Sequence, residues 1–164
     1  MPLDTLIAGA YTTTYNAVSV GITRQGFELQ QTLKQEVIAE TDAHGEATID
    51  YVYRGGDVYL QFICRAYKAG STTPFWPWGA LGTMSTAAAP IGRLASDVAL
   101  ITVLTSTAAT PAVATPATLT GTKSILAPNF DGRLLYDSRL REVPVRLQFL
   151  PYSSAGSILW WTQT

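Results

Sequence analysis

Ala47-Thr48-Ile49-Asp50-Tyr51-Val52-Tyr53-Arg54-Gly55-Gly56-Asp57-Val58-Tyr59-Leu60-Gln61-Phe62-Ile63-Cys64 is the stretch on which the reading of the fold depends. Ala47, Ile49, Tyr51 and Tyr53 alternate with Thr48, Asp50 and Val52. Val58, Leu60, Phe62 and Cys64 alternate with Tyr59, Gln61, Ile63 and Arg65. A period of two sends successive side chains to opposite faces of a strand. Arg54-Gly55-Gly56-Asp57 stands between the two runs. Glycine reaches the positive φ of a primed turn without strain, so the pattern predicts a tight hairpin closed at Gly55-Gly56. One face goes to a core. The other keeps aromatic and aliphatic members and needs cover as well.

Outward from this stretch the period-two signal continues. Tyr15–Ile22 and Gly26–Leu33 pattern as strands. Thr41–Glu46 is a turn, with Gly45 at its flexible position. Residues 27–53 therefore run out and back with a polar tip, and 30–53 is read as an extended hairpin. Val98–Thr105 reads as a strand buried on both faces. Residues 106–118 form a flexible loop rich in Thr, Ala and Pro, around Pro111 and Pro116. Val143–Leu150 alternates cleanly, and Pro144, having no N–H, must face away from a ladder or lie at an edge. The best helix candidate, Ser85–Ser96, is interrupted by Pro90 and Gly92. Residues 153–164 are read as a C-terminal tail. Many strands and at most one short α-helix predict an all-β or β-rich fold. The expected architecture is an antiparallel β-sandwich or half-barrel within a single domain, 1–164.

Composition narrows the function. The 164 residues are 47% hydrophobic and 14% charged, with a formal charge of −1. Soluble domains carry about 25% charged residues, so this chain is charge-poor and must hide much of its surface. It has no basic excess to hold a phosphate backbone, which disfavours sequence-specific DNA binding. Residues 1–82 carry a net −3 and residues 83–164 a net +2, a polarity suited to contact between copies. The longest strongly apolar run, Val98–Leu104, is far short of the about 20 residues that span a bilayer. The start has no basic n-region, so the chain is expected to be made in a cytoplasm with no membrane anchor.

No catalytic constellation emerges. Cys64 is the single cysteine and His44 the single histidine, which excludes a disulfide framework and a two-histidine metal site. Asp42, His44 and Glu46 share one side of a strand, but a solvated turn explains them. Cys64 lies on the apolar face of its run, where a buried thiol acts as a small inert hydrophobe. There is no Gly-x-Ser-x-Gly and no phosphate loop. The expectation is no enzyme, no cofactor and no metal. Two aromatic clusters remain, Pro74-Phe75-Trp76-Pro77-Trp78 and Ile158-Leu159-Trp160-Trp161. They fit either core packing or a subunit contact, where Trp and other large aromatics dominate.

Several blocks, taken in order, resemble the tail tube proteins of tailed bacteriophages. They are Val20–Leu29, then Glu40–Glu46 leading into Asp50–Tyr59, then Pro77-Trp78-Gly79. Ile125–Phe130 follows, and then Arg139–Tyr152, whose Arg141-Glu142-Val143-Pro144 ahead of a strand ending in Leu150-Pro151-Tyr152 is the most family-like piece. The resemblance covers about residues 10–152 and departs from the family in its weak helix signal and its Trp160-Trp161 ending.

The resemblance implies a structural virion protein of the tail. Its copies would form rings, usually hexameric, whose sheets join into a larger barrel on oligomerisation. Rings would stack head to tail into a conduit that phage DNA crosses without specific binding, with few basic side chains facing the lumen. Expected partners are the chain itself and other phage tail proteins, and no membrane. Expected interface residues are Glu36, Glu40, Asp42, His44 and Glu46 on the hairpin, together with Trp76, Trp78, Trp160 and Trp161. Two other readings stay open: a tail completion, neck or tube-tip ring protein, and a monomeric ligand-binding β-barrel.

Overall fold

The computed structural model describes residues 11–21, 23–39, 48–65, 92, 94–106, 118–128 and 142–163. These are almost all strand: β1 (Tyr11–Tyr15), β2 (Val18–Ser19), β3 (Thr23–Ala39), β4 (Thr48–Cys64), β5 (Leu100–Ser106), β6 (Thr118–Leu126), β7 (Val143–Phe149), β8 (Tyr152–Ser154), β9 (Ser157–Leu159) and β10 (Thr162–Gln163). The fold is mostly β, built on one large antiparallel sheet, as the alternation predicts. Its order is β2-β1-β5-β6-β7-β4-β3, with β10 added on β6 and a separate β8–β9 hairpin. No helix among the described residues is long and apolar enough to cross a membrane.

Residues 20–22 alone join β2, at one end of the sheet order, to β3 at the other. The four Cα steps from Ser19 to Thr23 reach at most about 14 Å, so the two ends of the sheet are drawn together and the sheet curls. The Cys64 thiol at the end of β4 donates to the Val20 carbonyl across this junction, 3.1 Å away. Inside the curl lies the core. Val58, Leu60, Phe62 and Cys64 of β4 stand opposite Phe149, Leu147, Val145 and Val143 of β7, and all eight are buried. Tyr15, Val20 and Leu104 close over them, and Phe27, Leu29 and the two C-terminal tryptophans pack at the margin.

The Gly55-Gly56 turn is corrected by the structure. Residues 48–64 are one continuous 17-residue strand, paired along its length with the 17 residues of β3. The register steps from Lys34↔Gly55 to Gln35↔Tyr53, which leaves Arg54 as an extra residue. Gly55 sits at φ +106° in this β-bulge, a backbone state that suits glycine. Glycine in a strand pattern signals a bulge as well as a turn.

Three further corrections have simple causes. The strand expected over Tyr15–Ile22 is broken by a two-residue turn at Asn16 and Ala17, both at positive φ, which lets Tyr15 pair with Val18. Over Val98–Thr105 the described strand begins at Leu100, after a 3-10 turn at Ala95–Val98, and alternates rather than being buried on both faces. Thr102 is fully buried there and Ile101 is 51% exposed. Of the helix candidate Ser85–Ser96, Leu94 is extended and Ala95 and Ser96 open the 3-10 turn; the rest of it, apart from Gly92, lies outside the described residues. Pro144 behaves as its chemistry requires. It pairs with Ile63 of β4, beyond the point where the β6 pairing stops at Leu126↔Leu147.

Candidate subunit interface

The inner half of the β3–β4 pair belongs to the core, and the outer half leaves it. From Thr48 to Gly55 every β4 residue is exposed, and Leu33 to Ile38 of β3 are exposed beside them. The result is a two-stranded ribbon with no sheet neighbour among the described residues. Isolated two-stranded hairpins are at best marginal in water.

Cross-strand partners share a face, so the register sorts the ribbon's side chains. Leu33, Gln35 and Val37 share one face with Tyr53 and Tyr51. This face continues the core face, because Leu29↔Leu60 and Gln31↔Val58 lie in the same row. The other face carries Lys34, Glu36, Ile38, Asp50, Val52 and Asp57. Four of its charges are paired: Lys34 Nζ lies 2.7 Å from Asp57 Oδ2, and Arg54 Nη1 lies 2.6 Å from Glu36 Oε2, while the Asp50 carboxylate accepts from the Tyr51 N–H. The hydrogen bond to Asp57 and its charge raise the Lys34 pKa. The core-side face is therefore apolar, yet Leu33 is 70% and Tyr53 71% exposed.

At the base of the ribbon the C-terminal residues complete a groove. β7 stops pairing with β6 at Phe149↔Ser124, and β10 resumes on the same side of β6 at Thr162↔Thr120. The chain between them makes the β8–β9 hairpin, turned at Ala155-Gly156. That detour sets Ile158, Trp160 and Trp161 against Leu33 and Tyr53 around a space of about 350 Å³. Trp160 and Trp161 are half-buried and pack on the core, while Ile158 is 65% exposed.

The chain matches no protein-family model and no curated protein.

Of the residues expected at an interface, the structure brings Glu36 onto the ribbon and Trp160 and Trp161 beside its base. Glu40, Asp42, His44, Glu46, Trp76 and Trp78 lie outside the described residues, as does the turn Thr41–Glu46. Ile158 belongs to the C-terminal cluster already read as core or subunit contact, whereas Leu33, Val37, Tyr51 and Tyr53 escaped the sequence reading as surface residues. Their alternation is the ordinary signature of a core strand, and no local signal marks where the core ends.

The polar face of the sheet has a different character. Arg24 and Arg65 both bind the Glu142 carboxylate, at 3.0 and 2.9 Å. Arg65 first, and Arg24 after it, hold the Glu142 pKa below the ordinary carboxylate value. Arg146 stacks 4.0 Å over the Tyr59 ring and donates to Gln30 Oε1 at 3.3 Å. With Arg54, every arginine among the described residues has a partner. No group of three His, Cys, Asp or Glu side chains suited to a metal ion comes together among the described residues. Tyr11, Phe27, Leu104, Leu119 and Gln163 line a second space of about 270 Å³ inside the curl.

Proposed function

We propose that this chain is a structural virion protein, the protomer of a bacteriophage tail tube ring that stacks into a conduit for DNA. The exposed apolar ribbon carries this reading. A strand pair that continues the core face out of the core, with Leu33, Val37, Tyr51 and Tyr53 uncovered, favours burial by another molecule. Order and content of the sequence blocks supply the family, and the tail completion, neck or tube-tip ring is the neighbouring assignment within it. The role is mechanical, with no catalytic site. Arginines tied to carboxylates, an amide and a ring suit a surface past which DNA slides without holding.

Negative-stain electron microscopy of the concentrated protein tests the proposal. Rings or hollow tubes are expected. Isolated small particles at every concentration, with no growth on a pre-formed tail initiator, would overturn it.

The 270 Å³ space favours a second reading, a monomeric ligand-binding barrel. Its wall is apolar apart from Gln163 and Tyr11. Native mass spectrometry of freshly purified protein separates the two: a small molecule retained on a monomer supports the barrel.

A further inference from the structure

We infer that the space inside the curl takes an uncharged amphiphile, with an apolar body seated in its depth and a single hydroxyl at its mouth. The inference rests on the second reading above, that this space binds a small molecule, and names the class of that molecule. It concerns one copy of the chain and does not depend on assembly.

The curl of the sheet makes the space. Leu104, Leu119 and Gln163 stand in one rank across β5, β6 and β10, set by the pairs Leu104↔Leu119 and Gln163↔Leu119. Thr13 pairs with Leu104, so Tyr11, two residues back along β1, belongs to the same face. Phe27 comes from β3, at the other end of the sheet order, and closes the opposite side. Its ring packs on the buried Phe62, with centroids 5.1 Å apart. These five residues line about 270 Å³. An apolar cavity of about 150 Å³ takes benzene, so this one suits a body of about ten heavy atoms on the same scale.

Polarity is graded from depth to mouth. Leu104 is 9% exposed, and Leu119 and Phe27 are half-buried. Tyr11 and Gln163 are exposed. An apolar body gains by leaving water for the leucines and Phe27. The Gln163 amide and the Tyr11 hydroxyl each offer a donor and an acceptor, and a ligand hydroxyl can both give and take. Neither neutralises an ion. No charged side chain among the described residues lines the space. The arginines are engaged elsewhere, with Glu142, Glu36 and the Tyr59 ring. A carboxylate or an ammonium group drawn in would lose hydration and meet no counter-charge.

The test is calorimetric titration of the full-length chain at neutral pH with three molecules of one length: nonan-1-ol, nonanoate and nonylammonium. Nonan-1-ol should bind at least about tenfold more tightly than either ion. Leu119→Trp, which fills the space from its own rank, should abolish binding, with circular dichroism as the check on folding. Gln163→Leu, at an exposed position near the chain end, keeps the test in force if Leu119→Trp does not fold. It should weaken nonan-1-ol by about three- to tenfold, the loss of one hydrogen bond. Ions that bind as tightly as the alcohol overturn the ligand class while the ligand-binding reading stands. Folded variants that bind like the parent overturn the site. A chain that binds none of the three removes the inference and the ligand-binding reading together.

Discussion

Thr13 and Thr102 place two hydroxyls in the core, 1% and 0% exposed, with no hydrogen-bond partner for either Oγ1. A buried hydroxyl loses its hydration and here gains nothing in return, whereas a methyl of the same shape loses nothing. Thr102→Val should therefore raise stability by about 1 kcal/mol, read as a higher urea midpoint at unchanged slope. The opposite result is expected at Gly121. A Cβ built there would stand 2.7 Å from the Phe149 ring, and Phe149 is 1% exposed with no room to turn away. Gly121→Ala should lower stability by about 1–3 kcal/mol, checked in the same titration. Neither position stands out in the sequence. A threonine in a strand faces water or core with equal ease, and the tightness at Gly121 is set by a residue from another strand.

Elements were legible where alternation alone decides them. β7 and the strand character of both halves of β4 follow from period two, and Pro144 from its missing donor, while β6 carries no such signal. The Arg54-Gly55-Gly56-Asp57 stretch shows where legibility stops. The apolar phase changes there, from odd-numbered residues through Tyr53 to even-numbered ones from Val58. A turn explains such a change, and so does one extra residue in a continuing strand. Deciding between them takes the partner strand, and β3 is long enough to pair with all of β4. The bulge thus keeps Tyr51 and Tyr53 on the face of Leu60 rather than reversing the chain. The same ambiguity attends Trp160 and Trp161, which pack on the core and line the groove at once. A test at this scale replaces residues 35–53 with an Asn-Gly turn joining Lys34 to Arg54. The far-ultraviolet spectrum should keep its strand signature, because the buried half of β4 begins beyond Gly55. Assembly on electron-microscope grids should disappear. Tubes of ordinary length from this variant would remove the ribbon from the interface.

At the scale of the molecule, two of the shifted groups among the described residues tie stability to pH. Burial pushes the Tyr15 hydroxyl from 10.0 up to about 12. The unfolded chain then releases this proton first, so the stability present below pH 10 is lost as pH rises from about 10 toward 12, by up to ~3 kcal/mol. Tyr15→Phe should flatten that alkaline slope in a series of urea titrations. On the acid side, Glu142 is held ionised by Arg65 and Arg24. Its contribution is present above the ordinary carboxylate value and is lost as pH falls through the depressed one. Glu142→Gln should remove that part of the acid slope, modestly, since the cluster is exposed to solvent and salt.

The curl of the sheet was not legible, because it follows from which strands stand first and last in the sheet order. That order also sets a sequence of events in time. The β3–β4 ribbon forms from neighbouring residues, while the seam that buries Leu60 and Phe62 waits for Val143–Phe149 from the opposite half of the chain. Non-local seams close slowly. During synthesis, the ribbon and the future core lie open together until β7 emerges, and both are sticky. A cell making this chain in quantity must therefore keep its nascent copies apart, by dilution or by chaperones, for the length of that interval.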